Sequence, residues 1–393
     1  MPAWLVALAT GALVFYTDDY VIAGVIPEIA ADLGVSTALA GQLVTVFSLT
    51  VAVAAPVAAV LTARLRRRTV LTAAAAVFTA ANALAALAPG YEVLLGLRVV
   101  AALAAAAATP SLFSAAAQLA PPDRIGRHVA VVSFGVTGAI ALGVPVGTWV
   151  GGAWGWRATF ALMAVAGAGV TVAFAALVPR RAGAREALPV RAQLGVLARP
   201  AISVGLVANL VLMLGSMMLL TYLAPFAAGI TGTGTTGRGV LFALSGIAGM
   251  AGIWAGGRAT DRWGPDRTLL LGVAVFVVTM AALAVLWPLR PIPMAVLVPL
   301  AVVWGGAAFW NSPAVQARLH LLAGPVSPQA LALNTSGTYL GVAAGGAVGG
   351  LVIDAAGPGP LPAVSGVCGL VAVALFAFAA SRSGSARERS ITP

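Results

Sequence analysis

Twelve stretches of this 393-residue chain are apolar over lengths that cross a bilayer, and they follow one another from end to end. They run over residues 4–29, 37–61, 69–87, 91–117, 129–150, 158–178, 202–228, 240–257, 268–286, 294–319, 330–353 and 361–380. A hydrocarbon core takes about 20 consecutive apolar residues as a helix. The reading is therefore an all-α integral membrane protein with twelve transmembrane helices. A β-barrel does not fit, because its strands are short and alternate polar with apolar residues, and these stretches are continuous. A soluble chain is not 61% hydrophobic and 8% charged. The first stretch has no basic leader and carries two aspartates, so it reads as a span and not as a signal peptide.

The longest polar stretch, 180–200, holds five arginines, Glu186, prolines and glycines, and it separates six spans from six. It predicts a first bundle over 1–179, a linker over 180–200, a second bundle over 201–381 and a tail over 382–393. The second half weakly repeats the first. Arg267-Thr268-Leu269-Leu270 follows the eighth span much as Arg68-Thr69-Val70-Leu71 follows the second. Parallel repeats of this kind mark transporters.

The net charge of +11 does not point to nucleic acid. All 22 basic residues are arginine, and 18 of them lie in alternate loops or in the tail. Arg157, Arg238 and Arg290 fall on the opposite side, and Arg98 lies within a span. This asymmetry predicts a multi-pass membrane protein with both termini cytoplasmic. Attraction to anionic headgroups is its secondary meaning.

Residues that carry enzyme chemistry are missing. Cys368 is the one cysteine, and His128 and His320 are far apart. Neither metal-ligand spacing nor a nucleophile–base pair is present, so no enzyme, metal or organic cofactor is expected.

Polar residues inside the spans are the candidates. Phe15-Tyr16-Thr17-Asp18-Asp19-Tyr20 lies within the first span, and an ionisable group at that depth is a functional candidate by default. Neighbouring helix positions point about 100° apart, so the two carboxylates face different ways. Arg98 lies about 10 Å inside the fourth span and Asp19 about 15 Å inside the first, measured from the same edge. Asp18 or Asp19 is the expected partner of Arg98; the alternative is that Arg98 snorkels outward to carbonyls. Glu28 and Asp32 are read as solvated at the interface. The third span is read as perimeter, with Asn82 its one strongly polar residue. In the second half the seventh span offers Asn209, Met213, Ser216, Met217 and Tyr222. The tenth offers Trp310, Asn311, Pro313 and Gln316, and the eleventh offers Asn334, Ser336 and Tyr339. Of these, Tyr16, Asn209, Met213, Trp310, Asn311 and Asn334 are the expected substrate contacts. Gly143-Val144-Pro145-Val146-Gly147 brings small residues for close helix packing and a proline for a bend.

These residues resemble the major facilitator superfamily, in its twelve-helix drug:proton antiporter branch, over essentially the whole chain. The loop from Gly256 to Arg267 is similar to the family's inner-loop signature, with Asp261 at its acidic position beside Arg262 and Arg267. The loop around Arg64, Arg66, Arg67 and Arg68 keeps the arginines and lacks that aspartate. Gly143, Pro145 and Gly147 resemble the antiporter motif of the fifth helix. Leu97-Arg98-Val99-Val100-Ala101 resembles the fourth-helix motif, with alanine replacing a later glycine. Thr17-Asp18-Asp19-Tyr20 through Pro27 is similar to the opening of the chloramphenicol, purine and sugar exporters, with Asp19 in place of their usual glutamate.

The resemblance implies a monomeric exporter in the bilayer that works by alternating access and is driven by the proton gradient. Asp19 would carry the proton, because burial favours its neutral form and Arg98 its charged form. A small neutral or zwitterionic antibiotic of the amphenicol type is one substrate class, and nucleobases or sugars are another. A membrane sensor is disfavoured because the chain has no sizeable soluble domain.

Overall fold

Within a bilayer the backbone must satisfy its own hydrogen bonds, and each apolar stretch does so as a helix. The computed structural model of the chain describes residues 1–62, 64–121, 124–180 and 195–389. Twelve helices there are long and apolar enough to cross a membrane. They are α1 (Ala3–Leu33), α2 (Thr37–Leu61), α3 (Arg67–Ala85), α4 (Tyr91–Leu119), α5, α6 (Trp156–Leu177), α7, α8 (Thr235–Trp263), α9 (Pro265–Leu286), α10 (Met294–Ala323), α11 (Ser327–Ala356) and α12 (Leu361–Arg389). Two of them are composite. In α5, Ile125–Gly138 and Val144–Trp154 are joined by a π-helical turn, Ala139–Gly143. In α7, Pro200–Thr221 and Leu223–Thr231 are separated at Tyr222. Pro225 explains that break, because its ring excludes the backbone bond to the residue four positions back. Most of the linker expected over 180–200 lies outside the described residues.

The turns obey local rules. Gly34 ends α1 in the left-handed region at φ 64°, where a side chain would be strained. Two residues later the Ser36 side chain caps α2 by accepting the Leu39 N–H at 3.1 Å.

The helix packing repeats. In the first half α1 packs on α5 and α6, α2 on α4, and α3 on α4 and α6. In the second half α7 packs on α11 and α12, α8 on α10, and α9 on α10 and α12. Each pair recurs six helices later, as a parallel repeat requires. The halves meet where α2 packs on α11 and α5 on α8. The α5–α8 crossing is a backbone contact: a Cβ added to Gly246 of α8 would lie 2.6 Å from the Ala141 Cα in the π turn. Small residues are what permit such approach between membrane helices.

One end of the molecule carries the Gly34 turn, and the other carries the arginine-rich turns. At the Gly34 end the halves are tied together. Arg238 of α8 binds Glu28 of α1 at 2.5 Å, and the Thr235 hydroxyl donates to the same carboxylate at 3.3 Å. The Trp149 indole of α5 donates to the Thr236 carbonyl at 3.4 Å. Tyr222 donates to the Gly346 carbonyl at 2.8 Å and lies 3.5 Å from the Ala38 carbonyl of α2.

The expectation that Glu28 is solvated is corrected by this tie; Asp32 is exposed, as expected, and is paired as well. Asp32 binds Arg157 and takes the Trp156 indole N–H at 3.0 Å. The two acids are four residues apart, so they share a face of α1. One ties α1 to its own half and the other ties it to the opposite half. Glu28→Gln is expected to weaken the cross-tie by about 1.4 kcal/mol, roughly tenfold in the closed-to-open ratio at this end. Spin labels at Ser36 and Thr236 should then report longer distances, and the charge swap of Glu28 and Arg238 should restore the short one. Unchanged distances in Glu28→Gln would show that the tie is not a latch.

Candidate functional site

The two aspartates of α1 have different surroundings, as their 100° separation requires. Asp18 is fully buried, and its Oδ2 receives the Arg98 Nη1 of α4 at 2.6 Å. The other arm of the guanidinium donates to the Asp18 backbone carbonyl at 3.0 Å. The guanidinium also lies 4.2 Å from the centre of the Phe47 ring of α2. Arg98 is thus held by charge, carbonyl and aromatic face, and it does not snorkel. Asn82 of α3 is buried and donates to the Phe78 carbonyl at 3.1 Å, and the electrostatics places it near the Asp18 carboxylate. The third helix therefore turns its one strongly polar residue inward, to the site.

Asp19 is 2% exposed, and neither carboxylate oxygen has a partner in good hydrogen-bond geometry. Its electrostatic neighbours are Arg98, Asp18 and the Tyr339 hydroxyl of α11, with Tyr16 and Tyr20 on its own helix. Tyr16 also faces Tyr339 and Thr109 of α4. Tyr339 comes from the second half, yet it packs into an apolar cluster that is otherwise built by the first half. The unpartnered acid is therefore faced by a residue of the opposite half.

The glycines of α5 seat α1. A side chain at Gly143, Gly147 or Gly151 would run into Thr17, Val21 or Val25 respectively. Pro145 is buried just after the π turn. The glycine run thus fixes the helix that carries the acids.

In the second half, Asn209 donates to the Asn334 carbonyl oxygen at 3.1 Å and to the Thr338 hydroxyl at 3.2 Å. This polar cluster joins α7 to α11 one residue before Tyr339 in sequence. Met213 packs against Gly341 on the same pair of helices.

Trp310 and Asn311 go elsewhere. The Trp310 indole donates to the Thr268 carbonyl at 3.0 Å, Asn311 is buried, and both pack on Gly272 of α9. They form the α9–α10 seam and do not join the cluster. Six residues of helix amount to a rotation of about 600°, so Trp304 points away from Trp310. Trp304 instead lines a small cavity with Ile140 of α5 and Met217 of α7.

The turn between α8 and α9 does not pair the charges that the resemblance singles out. Asp261, Arg262 and Arg267 are exposed, and no ion pair joins them among the described residues. The paired acid of this turn is Asp266, whose Oδ1 takes the Arg318 Nε of α10 at 2.8 Å. Arg318 also donates to the Ala201 carbonyl of α7 at 3.2 Å. No cluster of three or more metal-ligating side chains occurs among the described residues.

Comparison with known proteins agrees with this architecture. The model of the Major Facilitator Superfamily matches residues 8–326. The chain is 34% identical over 383 residues to a chloramphenicol resistance protein of Streptomyces lividans, covering 96% of this chain and 95% of that one. It is 33% identical over 357 residues to the inner membrane transport protein YdhP of Escherichia coli (strain K12), covering 89% of each. The solved D-xylose-proton symporter superposes with a TM-score of 0.79 at 17% identity, over 95% of this chain and 96% of that one, a likeness of fold. The chain belongs to the Major Facilitator Superfamily.

Proposed function

We propose that this membrane transporter exports a small, uncharged amphipathic compound of the chloramphenicol type in exchange for protons. The observation that carries the reading is Asp19: a buried carboxylate whose two oxygens make no hydrogen bond and no ion pair, beside the Asp18–Arg98 ion pair. A carboxylate enclosed in the spans without a bonded partner can take and give a proton without breaking an ion pair. The similarity to a chloramphenicol resistance protein over 96% of the chain supports the drug class and the export direction.

In this reading the arginine-rich turns are cytoplasmic. The tied Gly34 end is then the outer end, and it is closed in this conformation. The halves 1–179 and 201–381 rock as two bodies about the central crossing.

A second reading is export of a nucleobase or sugar by the same coupling. The Asn209–Asn334–Thr338 cluster favours it, because amides and hydroxyls suit a heterocycle or a polyol.

Proteoliposomes with an acidic lumen decide between them. They are expected to accumulate chloramphenicol and to release it when a protonophore collapses the gradient. Accumulation of adenine or D-xylose in place of chloramphenicol removes the drug reading. Gradient-independent movement of all three removes the antiport reading.

A further inference from the structure

The two halves repeat each other, and at one position the repeat reverses a charge. Arg68-Thr69-Val70-Leu71 lies at the start of α3 as Arg267-Thr268-Leu269-Leu270 does in α9, so Arg67 occupies the place of Asp266. Asp266 is neutralised within the protein by Arg318. Arg67 has no such partner. It is 8% exposed, and its Nε is enclosed with nothing to bond among the described residues. Near the end of α4, the counterpart of α10, Gln118 donates to Ser114. Among the described residues, the internal ion pair of the second half therefore has no equivalent here.

A guanidinium taken out of water is costly unless a counter-charge accompanies it. Arg67 sits in the first turn of α3, whose cap residue Arg66 makes no side-chain cap bond. The free N–H groups of that turn and the positive end of the helix dipole add to the guanidinium. Arg64 and Arg66 are exposed beside it. All three contributions are of one sign, and the missing component is an anion.

We infer that the turn between α2 and α3 binds a phosphate-bearing anion, with Arg67 as its buried ligand and Arg64 and Arg66 as outer charges. A planar guanidinium and helix N–H groups are the donors that phosphate oxygens take. An anionic lipid headgroup and free inorganic phosphate share this chemistry. The position of the turn, where two spans leave the bilayer, favours the headgroup.

The test is thermal melting of the purified full-length protein in phosphate-free detergent, for wild type, Arg67→Gln and Arg64→Gln. Each receives phosphatidylglycerol, phosphatidylcholine or inorganic phosphate. Without ligand, Arg67→Gln should melt no lower than wild type, because an uncompensated buried charge is gone. Phosphatidylglycerol should raise the melting temperature of wild type and of Arg64→Gln and leave Arg67→Gln unmoved. An equal rise with inorganic phosphate identifies the free ion as occupant, and a rise with phosphatidylglycerol alone identifies the headgroup. Equal shifts in wild type and Arg67→Gln, or no shift of wild type with either anion, overturn the site. Arg67→Met, apolar and of similar length, gives the same readout should the glutamine variant misfold.

Discussion

Asp19→Asn is expected to reduce uphill export to the level of empty vesicles while leaving the folded protein in place. Asparagine keeps the volume of the acid and fixes its neutral form. No ion pair is lost, because Asp19 makes none in this conformation, so folding has little to lose. Coupling has everything to lose, because a group that cannot ionise cannot alternate between the two charge states that bias the two conformations. Substrate exchange across the membrane without a gradient should persist, since it requires movement of the halves and not proton release. Two measurements on one preparation separate these outcomes: gradient-driven accumulation in proteoliposomes, and exchange of labelled for unlabelled substrate. Gradient-dependent accumulation by Asp19→Asn would remove Asp19 as proton carrier.

Asp18→Asn is expected to fail differently, at the level of folding. It leaves Arg98, 1% exposed, with a carbonyl and an aromatic face but no counter-charge. Breaking a buried pair from one side costs about 3–5 kcal/mol, enough to deplete the folded fraction of an ordinary protein. The double variant Asp18→Asn with Arg98→Leu should recover much of the yield, because the stranded charge is removed too. The monodisperse fraction after solubilisation and the melting temperature measure both effects. An Asp18→Asn protein as stable as wild type would mean that the pair contributes little to the fold. The expected contrast between adjacent residues is wide because one acid is spent on structure and the other is not.

Much of the architecture was legible in the chain because bilayer physics is local. Length and continuity of the apolar stretches give twelve helices, and the arginine placement gives one basic end. The Asp18–Asp19 stretch and Arg98 stood out because charge at depth is rare. Which of the two acids pairs with Arg98 was not legible, since it depends on which of two directions α1 turns toward α4. Helical phase also misled at Trp310 and Asn311: their polarity marks them for a site, yet they point to α9. The ion pairs of Glu28 and Asp32 were not legible because their partners, Arg238 and Arg157, are distant in sequence and arrive only through packing. Asn82 could have been found by the rule that exposed the aspartates, since a strongly polar residue in an otherwise apolar span needs a partner.

The crossing of Gly246 on the π turn of α5 has a mechanical meaning. Interdigitated side chains act as gear teeth and resist one helix turning on another. Backbone against backbone has no teeth, so the centre of the bilayer is the axis of least resistance. At 1.5 Å per residue, α8 extends about 12 Å from that fulcrum to Arg238 and about 25 Å to Trp263. The lever arms are unequal by about a factor of two. A tilt that parts Glu28 from Arg238 by a few ångströms therefore sweeps the arginine-rich end through about twice that distance.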